Sequence, residues 1–352
     1  MKNWEKNIRR VVPYVPGEQP AVENVIKLNT NENPYPPAPG VQKMLRTMDA
    51  EKFRLYPDPA CSVLTEEIAR AYGVEKDQVF TGVGSDDVLA MCFMTFFNGS
   101  SPILFPDITY SFYDVWADML RIPYEKQPLD DRFCIRPEDY RKENGGIVFP
   151  NPNAPTGVEL SLESIRDILD HNPDSVVIVD EAYVDFGARS ALELLGEYDN
   201  LIVVQTFSKS RSMAGMRIGY AIGSPLLIRY LNDVKYSFNS YTMSQAALML
   251  GAEAVKDRSY FESILSKIVA TRERTKKELK KLGFTFPDSK SNFIFAAHET
   301  CPAKELFEAL KKEKIYVRYF DKPRINNYLR ITIGTDEQMD ALLDFLKKYL
   351  NR

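Results

Sequence analysis

Histidine is nearly missing from this chain: His171 and His298 are the only two among 352 residues. So few imidazoles exclude most zinc sites and Ser-His catalysis, and leave lysine, tyrosine and carboxylates to carry any proton chemistry. Cysteine is sparse too. Cys61, Cys92, Cys134 and Cys301 are scattered and form no C-x-x-C pair, so neither a disulfide framework nor a metal site is expected. Neither sign of charge dominates, with 45 basic against 49 acidic residues and no long basic run. That removes the electrostatic footprint of a nucleic-acid partner. No stretch approaches roughly 18 consecutive apolar residues, so no membrane partner is expected. The first residues, Met1-Lys2-Asn3-Trp4-Glu5-Lys6, are charged where a signal peptide would be apolar. The expectation is a soluble, cytoplasmic protein in a reducing compartment.

What is present is an ordinary globular composition, 44% hydrophobic and 27% charged. At this length one large domain plus a smaller one is expected. Residues 1–40 are proline-rich and predict neither a long helix nor a central strand. Beyond them, short β-branched runs alternate with helical spacing. Val79-Phe80-Thr81, Ile103-Leu104-Phe105, Ile147-Val148-Phe149, Val176 to Val179 and Leu201 to Gln205 read as buried parallel strands, and Arg217 to Ile222 as a further strand. Helices are predicted over 62–72 with Gly73 as C-cap, over 88–97 and 112–120, and after Ser161. This alternation predicts a doubly wound, mostly parallel α/β sheet. From Ser244 a long helical stretch runs to Leu282. Strands at Asn292 to Phe295, Ile315 to Tyr319 and Leu329 to Ile333 follow, with helices over 303–313 and 336–350. They predict a smaller α+β domain. The division expected is an arm over 1–29, a large domain over 30–243 and a small domain over 244–352.

Polar motifs stand at the ends of at least five predicted strands, the edge where open α/β sheets bind ligands. Thr206-Phe207-Ser208-Lys209 follows the Leu201–Gln205 run, with Arg217 eight residues on. Lys209 is either a solvated loop lysine or a Schiff-base lysine beside a bound phosphate. Gly84-Ser85-Asp86 opens a helix; its side chains can cap while its amides face an anion. Tyr110 is either a core tyrosine or an aromatic stacked on a planar ring. Asp180 ends an apolar strand, with Tyr183 three residues later. It either caps the next turn or meets a cation such as a pyridinium nitrogen. The Arg217 fork could hold a phosphate, and Arg330 is either a surface ion pair or a bidentate clamp for a carboxylate.

Asp180-Glu181-Ala182-Tyr183, Ser208-Lys209 and Ala214-Gly215-Met216-Arg217-Ile218-Gly219 together resemble the fold-type I pyridoxal-phosphate aminotransferases. Within these, the chain is similar over nearly its whole length to the histidinol-phosphate aminotransferase family. That similarity includes Leu28-Asn29-Thr30-Asn31-Glu32-Asn33-Pro34, Tyr56-Pro57-Asp58, Thr109-Tyr110 and Leu329-Arg330-Ile331-Thr332-Ile333-Gly334. The resemblance implies pyridoxal 5'-phosphate bound covalently at Lys209, with Asp180 on the ring nitrogen, Tyr183 on the ring hydroxyl and Tyr110 stacked on the ring. It implies that Ser85, Asp86, Thr206, Ser208 and Arg217 hold the phosphate, and that Tyr56 reaches the cofactor of the other subunit of a homodimer. It assigns Arg330 to the glutamate carboxylate, and Arg318 and Tyr14 to the phosphate of the larger substrate, with Asn29 beside them. One position departs from the pattern: Ala154 stands where the family usually has asparagine before Pro-Thr-Gly. Either the neighbouring Asn153 bonds the ring oxygen, or Tyr183 does so alone.

The activity implied is ping-pong transfer of an amino group between glutamate and imidazole-acetol phosphate, with small amino and keto acids as partners. An aromatic aminotransferase, a threonine-phosphate decarboxylase and a non-enzymatic cofactor-binding module are the rival readings.

Overall fold

The computed structural model describes residues 2–21 and 23–351. In chain order its strands are β1 Ile26–Lys27, β2 Val79–Gly82, β3 Ile103–Pro106, β4 Tyr124–Gln127, β5 Ile147–Pro150, β6 Val177–Asp180, β7 Leu201–Thr206, β8 Gly219–Gly223, β9 Phe284–Thr285, β10 Phe293–His298, β11 Ile315–Tyr316, β12 Arg318–Tyr319 and β13 Leu329–Thr332. Seven of them form one sheet in the order β2-β8-β7-β6-β5-β3-β4. All run parallel except β8, which is antiparallel to both neighbours.

Strands β2, β3 and β5 to β8 are buried at every position. That is why they read as continuous apolar runs rather than alternating ones. Successive side chains still serve opposite faces. Phe105, Val148, Ile178 and Val204 pack with the helices Ser85–Phe96, Tyr113–Leu120 and Pro225–Phe238. Leu104, Phe149, Val179 and Val203 pack on the other face with the helix Leu162–Asp170. Strand β4 has three polar residues in four and is exposed at its middle, as an edge strand can be. For that reason it carries no apolar run by which to predict it.

A four-stranded antiparallel sheet, β12-β13-β10-β9, builds a second core with the helices Ala303–Lys312 and Asp336–Leu350. The predicted strand Ile315 to Tyr319 is divided: β11 pairs with β1 of the N-terminal segment, and only β12 joins this sheet. The long helix predicted from Ser244 breaks at Asp257, whose carboxylate accepts the Tyr260 amide at 3.0 Å and caps the second half. Helix Gln245–Lys256 packs in a cluster with Phe207, just after β7, and Tyr220 of β8. Ile268 and Leu279 of helix Arg258–Lys281 enter the core of the small one. Helices Pro39–Thr47 and Pro225–Phe238 were not legible as such in the sequence, although each opens on a proline in its first turn. Among the described residues no helix is long and apolar enough to cross a membrane.

The parallel strands all end on one edge, where β8 and helix Ser85–Phe96 begin. The predicted strand start at Arg217 is instead a left-handed turn (φ 52°) that reverses the chain before Gly219. Gly219 lies in register with both Gly82 and Thr206. A Cβ there would sit 2.3 Å from the Gly84 carbonyl carbon and the Ser85 nitrogen. Gly219→Ala should therefore push strand and helix apart and cost about 1–3 kcal/mol, seen as a lower urea midpoint with an unchanged m-value.

Candidate active site

Asp180 ends β6 with 4% of its surface exposed. Its carboxylate accepts hydrogen bonds from the Tyr113 hydroxyl at 3.0 Å and the Ala182 amide at 3.2 Å. Neither donor is a cation, and no ion pair to Asp180 exists among the described residues. Burial pushes the carboxyl up to about 7, against the pull of those two donors. The edge thus presents a buried acid lacking the positive partner that would keep it ionised.

One strand over, Lys209 follows β7. Its ammonium donates to the Thr30 carbonyl at 3.1 Å and lies 5.9 Å from the centre of the Tyr183 ring. Its backbone carbonyl accepts from the Asn33 amide at 3.0 Å. The Tyr183 ring packs edge-on against Phe293 of the small sheet, and its hydroxyl accepts from the Asn31 side chain at 2.9 Å. Residues 29–33 thus touch the lysine and the tyrosine together. Thr30, Asn31, Asn33 and Tyr113 were given no roles in the sequence. The available sign was the density of asparagine in Asn29-Thr30-Asn31-Glu32-Asn33, which a merely extended arm does not need.

The predicted phosphate-holding residues converge beside them. The Arg217 guanidinium donates to Ser208 Oγ at 3.3 Å and pairs with Asp86 at 3.1 Å. Thr206 Oγ1 accepts the Ser208 amide at 3.1 Å. A Cβ on Gly84 (φ 86°) would lie 2.5 Å from Arg217 Nη2, so glycine is what allows the turn and the guanidinium to share this space. Ser85 and Asp86 begin the helix, whose first amides lack partners within the helix. Tyr110 joins the group by donating to Asp86 at 2.6 Å; burial first, and Asp86 second, hold its phenol well above the ordinary range.

Arg318 and Arg330 stand directly across from each other on β12 and β13. Like charges so placed repel, yet neither arginine has an acidic partner among the described residues. Arg330 lies between the Phe293 and Phe320 rings and donates to the Asn29 carbonyl at 2.9 Å, while its Nε is buried with no hydrogen-bond partner. Burial holds its guanidinium below the ordinary value. Arg318 and Tyr14 line one cavity of about 570 Å³, together with Thr109 and Phe320. Tyr14 is stacked on Phe112 at 4.1 Å. Asn29 is buried, donates to the Glu18 carbonyl at 2.7 Å, and keeps an unpartnered Oδ1.

Two further predicted residues make none of these contacts. Tyr56 is 82% exposed and packs against Tyr241 on the surface, which leaves it free to meet a second copy. Asn153 is buried, with its amide nitrogen committed to the Ile108 carbonyl and Thr156 Oγ1 and its oxygen to Thr109.

Residues 23–346 match the family model for aminotransferase class I and II, and the chain belongs to that family of pyridoxal-phosphate-dependent aminotransferases. Its relatives narrow the class. Histidinol-phosphate aminotransferase of Clostridium beijerinckii is 51% identical over 350 residues, 99% of this chain and 98% of that protein. The enzyme of the same name from Acinetobacter baylyi is 50% identical, over 100% of this chain and 98% of its own. The fold matches the histidinol-phosphate aminotransferase from Sinorhizobium meliloti, solved in complex with pyridoxal-5'-phosphate. That likeness has a TM-score of 0.84 at 24% identity, over 92% of this chain and 90% of that one. For the Clostridium acetobutylicum structure the TM-score is 0.85 at 23% identity, over 92% and 98%.

The state of Asp180 is measurable. Because the fold raises its pKa from 3.8 to about 7, the stability it allows is whole below pH 3.8 and is lost as pH rises to about 7. Cofactor-free Asp180→Asn should match the wild type near pH 4 and exceed its stability by on the order of 2–4 kcal/mol above pH 7, in urea titrations at both pH values.

Proposed function

We propose that this chain is a histidinol-phosphate aminotransferase, moving an amino group between glutamate/2-oxoglutarate and histidinol phosphate/imidazole-acetol phosphate in histidine biosynthesis. The observation that carries the substrate choice is the pair of opposed, acid-free arginines, Arg318 and Arg330, the first of which lines the cavity with Tyr14. Two cationic forks suit a substrate pair in which one member ends in a carboxylate and the other in a phosphate.

The residues present fit pyridoxal 5'-phosphate: a buried acid without a cation, and a glycine-lined cup under an arginine. Lys209 would hold the cofactor covalently at its aldehyde carbon, and Asp180 would face the ring nitrogen. Tyr183 would face the ring hydroxyl and Tyr110 the ring plane. The amides of Ser85 and Asp86, with Thr206, Ser208 and Arg217, would hold the phosphate. Bound there, the cofactor supplies an electron sink that acidifies the substrate Cα–H. With its amine free, Lys209 would take the proton from the donor's Cα and, in the second half-reaction, give one to the Cα of the acceptor. The Thr30 carbonyl holds the amine in reach meanwhile. Arg330 fixes the donor carboxylate by its fork, and the Phe293 and Phe320 rings exclude water around it. Arg318 and Tyr14, next to Asn29, take the phosphate of the larger substrate.

The same reading includes an arm over 1–29, a large unit over 30–243 and a small unit over 244–352, in a cytoplasmic homodimer. Exposed Leu55, Tyr56, Phe238 and Tyr241 support an apolar face across which Tyr56 reaches a second copy's site.

With purified chain, pyridoxal phosphate and 2-oxoglutarate, histidinol phosphate should be turned over with kcat/KM at least about 100-fold above phenylalanine; preference for phenylalanine, or release of carbon dioxide from a phosphorylated amino acid, would overturn the assignment. Lys209→Ala should lose the visible absorbance of the bound cofactor and drop turnover by about 1,000-fold or more. Arg330→Gln should raise KM for glutamate by about 10- to 100-fold with a smaller change in kcat, as read from initial rates.

A further inference from the structure

We propose that Asn31 is the positioning residue that aims the Tyr183 hydroxyl at the cofactor. This rests on the reading above that Tyr183 faces the ring hydroxyl, and it identifies what takes the place of the missing amide at position 154. Ala154 is buried in the same cluster as Tyr183 and carries no donor. Asn153 cannot substitute, since both hydrogens of its amide go to Ile108 and Thr156. Asn31 approaches instead from the N-terminal segment, 1% exposed and in the left-handed region (φ 56°).

Its backbone is held at both the amide and the carbonyl, and its side chain at Oδ1. Thr332 Oγ1 accepts the Asn31 backbone amide and donates to Asn31 Oδ1, both at 3.0 Å. Asn292 donates to the Asn31 carbonyl at 3.0 Å. With Oδ1 occupied by the threonine hydrogen, the amide nitrogen is the end that meets Tyr183, at 2.9 Å. A phenol has one hydrogen and two acceptor lone pairs. An N–H delivered to the oxygen leaves the phenol hydrogen to point elsewhere, and no acceptor for it exists among the described residues. The free direction is the site. A donor to the phenol oxygen also polarises its O–H, so the Asn31–Tyr183 chain donates more strongly than a lone tyrosine.

A cofactor ring oxygen given a weaker donor is more basic, and a proton shared with it is kept to higher pH. The test is therefore the pH midpoint of the visible absorbance change of the full chain loaded with pyridoxal phosphate. Asn31→Gly removes the amide while glycine accepts the positive φ; the midpoint should rise by about half to one pH unit. Asn31→Asp should raise it further, because a carboxylate draws the phenol hydrogen away from the site. In a Tyr183→Phe background, Asn31→Gly should add nothing. An unchanged midpoint in Asn31→Gly, or the full shift persisting without the tyrosine hydroxyl, overturns the role while the visible band leaves the functional reading standing. No visible band in the wild type would overturn that reading instead. Should Asn31→Gly fail to fold, Thr332→Val decides: it frees the amide to turn, and the midpoint must rise in the same direction or the proposal falls.

Discussion

A carboxylate buried without a cation is the constraint around which this molecule is built. Burial in a parallel sheet removes the water that would otherwise solvate Asp180 and raises its carboxyl to about 7, so keeping it fully ionised at neutral pH needs positive charge brought to it. The sheet brings the rest of the chemistry to the same edge. Adjacent strands β6 and β7 deliver Asp180 and the Thr206–Lys209 turn side by side, and reversal into β8 places Arg217 over the start of helix Ser85–Phe96. What binds there must carry a positive nitrogen for the acid, an anion for the arginine and helix end, and an electrophilic carbon for the lysine. Pyridoxal phosphate meets all three, and the family to which the chain belongs uses it.

The N-terminal segment completes this edge. Its carbonyls at Asn29 and Thr30 hold Arg330 and Lys209, one residue apart, and its Asn31 reaches Tyr183. Because Asn31 bonds Thr332 of β13 and Thr30 bonds Lys209, these neighbouring residues tie the small sheet to the lysine after β7. These contacts are exchangeable. A neutral carbonyl holds an ammonium or guanidinium more weakly than an anionic partner does, so the segment positions both groups without committing them.

Much of the large sheet was legible because its strands are buried on both faces and so spell uninterrupted apolar runs. Where that condition fails, legibility fails with it: β4 is a polar edge strand, and β11 and β12 are two-residue strands in different sheets that look continuous in one dimension. The break at Asp257 was hidden because both flanking segments keep helical spacing. Arg217 looked like a strand start because Ile218 and Tyr220 continue its pattern, whereas the left-handed turn that aims its guanidinium leaves no mark in hydropathy. Among the site residues, Lys209, Asp180, Ser208 and Arg217 lie just before or after strands and could be placed by position along the chain. Tyr113, Thr30 and Asn31 could not, for their partners are 67, 179 and 152 residues away.

By itself the sequence determined the doubly wound class of the large sheet, six of its seven strands and the residue types at its ligand-binding edge, because local periodicity and strand-end polarity follow from burial. Only the tertiary structure decided which groups meet. It left Asp180 without an ion pair among the described residues, set Arg318 against Arg330 across two strands, turned Asn31 toward Tyr183 and committed the Asn153 amide to Ile108 and Thr156. Each of these depends on the packing of distant segments, and no window of neighbouring residues encodes that.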